Sequence, residues 1–305
     1  MTAEAAMRKL FEEALGKENV FENEPMSEHT TFRIGGCADW FLTPENEEQL
    51  RRVLALLKDR TMPYFVMGNG SNLLVGDRGI RGAVICPYKK MSAVEVRGTE
   101  IYAECGALLA RVASAAMSAK LCGMEFASGI PGSVGGALYM NAGAYGSEMS
   151  KIVKSVRSMD SEGKVKEFSA EQCGFGYRKS VFCENGDIIL SGILRLESGD
   201  AEKIREYMRE LSERRVSKQP LDKPSAGSTF KRPEGHFAGS LIEQAGLKGY
   251  SVGGACVSEK HAGFVVNTGG ATAADVCRLI EHIQKTVYEM SGVMLEPEVK
   301  TVGEF

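Results

Sequence analysis

The sequence predicts an α+β fold in three sections, on three observations. Strand and helix signals alternate as far as Lys89. Beyond it, strand signals cluster around one helical segment, followed by a run of antiparallel-looking strands. Two prolines, Pro220 and Pro224, then mark a break before a last section with one long amphipathic helix. The chain has 305 residues, enough for two or three domains with ample buried core.

In chain order, an amphipathic helix is expected over 3–16, and CADWFLTP reads as a strand. Thr43 is expected to cap a helix with Pro44 at its first position, Leu50, Val53, Leu54 and Leu57 forming the apolar face. PYFVM is a short strand entering the loop GNGSNLLV, and AVICPY is another. VEVRG and IYAEC follow as strands, then a helix over 107–119. SVRSMD, KVKEFS and DIILSGILRLE are the antiparallel-looking run. Residues 200–213 form an exposed helix with Ile204, Tyr207, Met208 and Leu211 inward. The loop VSKQPLDKPSAGSTFKRPEG comes next, then a short helix over 240–245 and strands at YSVGGA and GFVVN. In the long helix, Thr272 caps with Asp275 three residues on, and Val276, Leu279, Ile280, Ile283 and Val287 make one apolar face. EPEVKTV is a last strand.

Composition excludes several classes. A net charge of −3 gives no general attraction to nucleic acid or anionic lipid. The eight cysteines contain no C-x-x-C pair and the four histidines are scattered, so no metal site is expected and the thiols read as buried and reduced. The first twenty residues lack the apolar core of a secretory signal, so a cytoplasmic protein is expected.

Glycine is the unusual number: 35 residues, against an average of about 7%. From Phe126 to Ser147 there is no charged residue, a length that suits a membrane span. Six glycines and a proline leave too little greasy surface for one, so no membrane partner is expected. No P-loop, G-x-G-x-x-G or G-x-S-x-G is present. GNGSNLLV and PGSVGGA instead let main-chain N–H groups approach a ligand, the second at an expected helix start. Tight turns with close strand packing would need the same residues. Two such loops, one in each of the first two sections, favour a dinucleotide pyrophosphate held by backbone donors.

From Arg214 to Arg232 there are six basic residues, Arg214, Arg215, Lys218, Lys223, Lys231 and Arg232, opposed only by Asp222. A solvated loop face is the ordinary meaning of such a run. Here it surrounds Gly227-Ser228-Thr229, which favours an anionic substrate such as a diphosphate. The loop has no interleaved aromatics for nucleic acid.

The ordered set GNGSNLLV, SGIPGSVGGALYMNAGAYG, CGFGYRKS, PSAGSTFKRP, KHAGFVVN and LEPEV resembles the UDP-N-acetylenolpyruvoylglucosamine reductase family over about residues 30–302. The resemblance implies non-covalent FAD between two α+β subdomains of the vanillyl-alcohol-oxidase type, 1–89 with the N-terminal helix and 90–212, and a UDP-sugar domain over 213–305. It implies NADPH as hydride donor and a UDP-sugar enol ether as small-molecule substrate. Cofactor contacts are expected from Gly68, Asn69, Gly70, Ser71, Asn72, Leu73, Pro131, Gly132, Ser133, Gly135, Gly136, Asn141 and Ala142, and substrate contacts from Tyr177, Arg215 and Lys218. Carried over, Arg178 is the catalytic arginine, Ser228 the proton donor and Glu298 the catalytic glutamate. Strand alternation puts Glu296 on the same face as Glu298, but Glu298 directly precedes Val299, as in the family.

The chemistry is consistent with those residue types. Hydride adds to the outer alkene carbon, a guanidinium stabilises the enolate as it forms, and a neutral hydroxyl supplies the proton. His236 and His261 read as structural. Too few residues separate Ser180 from the helix at Asp200 for the inserted tyrosine loop of one family branch, so the chain resembles the shorter branch, with Arg215 a candidate to cover the substrate. Arg232 stands where many relatives have asparagine. The competing readings are another FAD oxidase of the same superfamily, or a nucleotide-sugar binder without chemistry. A serine hydrolase built on Ser228 lacks a triad histidine.

Overall fold

The computed structural model describes residues 3–305. It divides into two compact units whose segments alternate along the chain. The first comprises the chain up to Glu22, Trp40–Asn69 and Gly82–Arg214; the second comprises Asn23–Asp39, Gly70–Arg81 and Arg215–Phe305.

In the first unit, helices Ala3–Leu15 and Glu47–Asp59 share a core. The apolar face predicted for the second helix is buried as expected, with Leu50, Val53, Leu54 and Leu57 nearly inaccessible. Each such side chain contributes about 1.5–3 kcal/mol of burial. The helix start differs from expectation. Asn46, not Thr43, is the cap: its side chain accepts the Gln49 N–H at 2.9 Å, and the Gln49 side chain accepts the Glu45 N–H at 2.7 Å. Asn46 and Gln49 satisfy each other's neighbourhood, while the Thr43 hydroxyl donates to Asn19 Oδ1 at 3.0 Å.

The antiparallel run forms a five-stranded sheet in the order Val165–Ser169, Val153–Met159, Ile188–Arg195, Glu100–Glu104, Val94–Arg97. Helices Leu109–Ser118 and Val134–Tyr139 bury Val112, Ala116, Val134 and Leu138 in the same core. Tyr64–Val66 pairs in parallel with residues of Ile80–Ile85, leading the chain into the first glycine loop. The helix expected over 200–213 runs further, Ala201–Lys218, because no residue before Pro220 stops it. Ile204 and Leu211 are buried, but Tyr207 is 42% exposed, so it is not inward as expected.

The second unit has its own core, in which Phe32, Ile34, Leu74 and Phe230 join the long helix Ala273–Ser291. That helix carries the predicted capping box of Thr272 and Asp275, and its predicted apolar face is buried. YSVGGA forms two strands, Ser251–Val252 and Ala255–Val257, turned by Gly253 and Gly254; with Val265–Asn267 they make a three-stranded antiparallel sheet. The last strand is shorter than expected, Lys300–Val302, and pairs in parallel with Leu73–Val75. Among the described residues no helix is long and apolar enough to cross a membrane, and no group of three metal-ligating side chains stands together.

Candidate cofactor and catalytic site

In the first unit the two glycine loops touch. Asn69 Nδ2 donates to the Pro131 carbonyl at 2.7 Å, and a Cβ added to Gly68 would lie 2.2 Å from Ser133 Oγ. Glycine at 68 is therefore what admits Ser133, whose hydroxyl caps the helix Val134–Tyr139. The expectation of a free helix N-terminus is corrected here. The Val134 and Gly135 N–H groups donate to Ala107 and Cys105, each at 2.8 Å, and that of Gly136 goes to Ser133 Oγ. The Val134 bond is part of an antiparallel bridge between Ser133 and Leu108. The donors left over stand just before the helix. The N–H groups of Gly68, Asn69, Gly132 and Ser133 have no protein acceptor among the described residues. Neutral donors presented by two touching, side-chain-poor loops fit a dinucleotide phosphate.

In the second unit the N–H groups of Gly70, Ser71 and Asn72 likewise have no protein acceptor among the described residues. Gly70 has φ +61° and its missing Cβ would meet the His29 carbonyl at 2.1 Å, so no other residue fits there. Asn72 is used internally: its side-chain Nδ2 donates to the Glu298 carbonyl at 3.1 Å, and its main-chain carbonyl accepts the Lys300 N–H at 2.9 Å. Leu73 pairs with Lys300.

Arg178 belongs to the first unit and sits in a tight turn. Gly176 and Lys179 exchange both backbone hydrogen bonds, at 3.0 and 3.2 Å, with Tyr177 and Arg178 between them. Arg178 has φ +56°, the left-handed region that glycine or asparagine normally fills at this turn position. Its guanidinium carbon lies 5.1 Å from the centre of the half-exposed Tyr177 ring. Nearby, a hydrogen bond from Ser150 holds the Glu148 carboxyl below the usual carboxylate range, with smaller contributions from Asn141, Lys151 and Arg178. Asn141 and Ala142 make their polar contacts within the protein. The Asn141 amide joins Gly176 to Ser150, and the Ala142 N–H donates to Ala137.

Ser228 and Glu298 come together in the second unit. The Glu298 N–H donates to the Thr229 carbonyl at 2.8 Å, the Lys231 N–H to the Glu296 carbonyl at 2.8 Å, and Phe230 faces Pro297 in an antiparallel bridge. Thr229 is itself fixed: its N–H donates to Gly263 and its hydroxyl accepts the Val265 N–H, both at 2.9 Å. Ser228 is exposed, whereas Glu298 is partly buried. Glu296 is exposed and its carboxylate is taken by Lys231, which separates the two acids that the sequence left close.

The cationic run is less open than expected. Arg215 and Lys218 lie on the helix Ala201–Lys218, not in a loop, and Arg215 Nε donates to Gln219 Oε1 at 3.0 Å. Arg214 pairs with Glu210 at 2.5 Å, and the Arg232 guanidinium carbon stands 4.1 Å from the Phe237 ring centre. Sequence reasoning missed two supports of the second unit. Asp77 accepts the N–H groups of Ala273 and Ala274, at 2.7 and 3.0 Å. Asn267 donates to Phe32 at 3.2 Å, tying down the segment before Arg33. An aspartate shortly after a strand was visible; its partner helix, far along the chain, was not.

Known proteins bear on the same segments. A family model described as UDP-N-acetylenolpyruvoylglucosamine reductase, C-terminal domain, matches residues 219–302, and one described as FAD binding domain matches residues 38–169. A UDP-N-acetylenolpyruvoylglucosamine reductase of Clostridioides difficile (strain 630) is 53% identical over 290 residues, covering 95% of each chain. The crystal structure of UDP-N-acetylenolpyruvylglucosamine reductase from Thermus caldophilus is 36% identical with a TM-score of 0.80, covering 93% of this chain and 98% of that one. A grass pollen allergen with glucose dehydrogenase activity, Phl p 4, is 17% identical with a TM-score of 0.50 over 63% of this chain and 44% of its own, a likeness of fold alone. It fits the expected α+β fold. On identity above one half along nearly its whole length, the chain belongs to the UDP-N-acetylenolpyruvoylglucosamine reductase family.

Proposed function

We propose that this protein reduces the enolpyruvyl group of UDP-N-acetylglucosamine enolpyruvate to give UDP-N-acetylmuramate, with FAD as non-covalent cofactor and NADPH as hydride donor, in the cytoplasm during peptidoglycan precursor synthesis. The observation that carries the reading is the strand pairing that brings Ser228, with its exposed hydroxyl, beside Glu298 in the family's C-terminal domain. The donors of Gly68, Asn69, Gly132 and Ser133 would hold the FAD pyrophosphate, and Gly70, Ser71 and Asn72 are assigned to the same cofactor on the family's pattern. FAD, when bound, supplies the hydride that NADPH has given up.

The chain's own residues do the rest. Hydride addition to the outer alkene carbon leaves an electron pair on the carbon next to the substrate carboxylate. The Arg178 guanidinium stabilises that enolate, an electrostatic contribution of about 3 kcal/mol. Ser228 Oγ gives up its proton to the same carbon, which completes the addition of one hydride and one proton across the double bond. Glu298 assists at the enolate. Tyr177, Arg215 and Lys218 would contact the substrate, the last two at its diphosphate. The functional division we assign is 1–89 and 90–212 for FAD and 213–305 for the UDP-sugar, in keeping with the segments the two family models match.

The test is anaerobic. The purified protein should be yellow and bleach with NADPH. Its colour should return with UDP-N-acetylglucosamine enolpyruvate and not with UDP-N-acetylglucosamine. Ser228→Ala should bleach normally and recolour roughly 10²–10⁴-fold more slowly, the weight of general acid catalysis. Recolouring by air alone, at a rate the substrate does not change, would identify an oxidase instead.

A further inference from the structure

We propose that Asn141 is a positioning residue for Arg178, holding the strained turn that carries the guanidinium. The inference rests on the function proposed above. Asn141 is fully buried, in a left-handed conformation with φ +45°. Its amide is used at both ends: Nδ2 donates to the Gly176 carbonyl at 3.0 Å, and Oδ1 accepts the Ser150 N–H at 2.9 Å. Gly176 is the first residue of the Arg178 turn. At the turn's far side the Ser180 hydroxyl donates to the Tyr139 carbonyl at 2.5 Å. Residues 139 and 141 thus grip both flanks of the segment 176–180.

This arrangement answers a physical question. A non-glycine residue in the left-handed region is disfavoured, and such a conformation persists only where the surroundings over-determine it. Two backbone bonds close the turn, but they would equally close it with Arg178 relaxed into another turn type. The additional bonds from Asn141 and to Tyr139 fix the orientation of the whole hairpin against the end of the helix Val134–Tyr139. That helix is capped by Ser133, which lies in the loop assigned to the FAD phosphates. A short covalent path therefore runs from the cofactor loop, through the helix, to the two residues that clamp the catalytic arginine. Both ends of the Asn141 amide are engaged within the protein, which supports a positioning role.

The test uses the FAD-loaded protein with Asn141→Gly, which keeps the left-handed backbone accessible, and Ser180→Ala, which removes only the far clamp. Positioning predicts that FAD content, the flavin spectrum and the rate of bleaching by NADPH stay as in the parent. Recolouring by the enol ether should slow on the order of 10²-fold for Asn141→Gly, the scale of a misplacement of about 1 Å, and less for Ser180→Ala. Hydrogen exchange gives a readout independent of turnover: the Lys179 amide, bonded to Gly176, should lose protection in both variants. Loss of FAD from Asn141→Gly would make Asn141 part of the cofactor site and overturn the proposal. Unchanged recolouring, or unchanged Lys179 protection, would overturn it as well. A parent protein that never recolours with the enol ether would instead sink the function on which the proposal rests, whatever Lys179 shows.

Discussion

His261 shows how one side chain's protonation is written into the fold. Its Nδ1 accepts the Gly263 N–H at 3.0 Å, a bond that only an unprotonated Nδ1 can make. Burial lowers its pKa, and the charges of Lys248 and Lys218 act in the same direction. A histidine with a depressed folded pKa binds its proton more readily in the unfolded chain. Between the folded value and about 6.5 the unfolded state holds more protons, so stability rises with pH in that window. It is fully present above about pH 6.5 and is lost as pH falls toward the folded pKa. His261→Asn, whose Oδ1 can still accept from Gly263, should flatten that decline. Urea midpoints at pH 7 and pH 5.5 in the two proteins measure it, and equal declines would exclude His261 as the source. The sequence read this histidine as structural, and the hydrogen bond agrees. It carried no sign of Arg178's backbone, because the left-handed turn is imposed by residues outside GYRKS. Asn141 and Asn72 were legible as members of glycine-rich motifs, yet their amides serve the protein, and only tertiary contacts reveal that.

Among the elements, the most legible were those whose determinants are local. The capping box of Thr272 and Asp275 and the apolar faces of the helices Glu47–Asp59 and Ala273–Ser291 follow from spacing alone. Where two local signals competed, the reading went astray: Thr43-Pro44 and Asn46 both suit a helix start, and the side-chain oxygen of Gln49 decided for Asn46. Long-range determinants were invisible. The donors at the start of Val134–Tyr139 are consumed by Cys105 and Ala107, and Asp77 supplies a second cap to Ala273–Ser291. With Thr272 taking the Asp275 N–H, the first three N–H groups of that helix are all satisfied, and Asp77 adds a negative charge at the positive end of the helix dipole. Asp77→Ala should cost about 1 kcal/mol, since the site is exposed. Asp77→Asn, which keeps one acceptor, should cost less. Equilibrium urea unfolding would show it, and a loss confined to the charge would make the two variants equal.

At the scale of the whole molecule, the glycine content and the modest net charge fit the proposed function, in which main-chain donors hold a phosphate and cationic side chains serve a different ligand. Among the described residues the N–H groups of Gly68, Asn69, Gly132 and Ser133 have no protein acceptor, so a pyrophosphate bound there would supply one. A ligand that binds only the native state stabilises it by RT ln(1 + [L]/Kd), about 2.7 kcal/mol at one hundred times Kd. For a chain of this size the midpoint should rise by several degrees, at roughly 2–4 °C per kcal/mol. Gly68→Ala separates this gain from intrinsic stability. Its new Cβ must displace the Ser133 hydroxyl, and with it the junction of the two loops, while the hydrophobic cores of both units are left untouched. The expected result is an apoprotein midpoint lowered by about 2–4 °C, the cost of disturbing the Ser133 cap, and little or no further rise on adding FAD, against a clear rise in the parent. Thermal scans followed by far-UV circular dichroism, with and without excess FAD, make the comparison. A parent protein whose midpoint ignores FAD would show that these amides serve no phosphate, and a variant that keeps the full rise would move the pyrophosphate away from the Gly68–Ser133 junction.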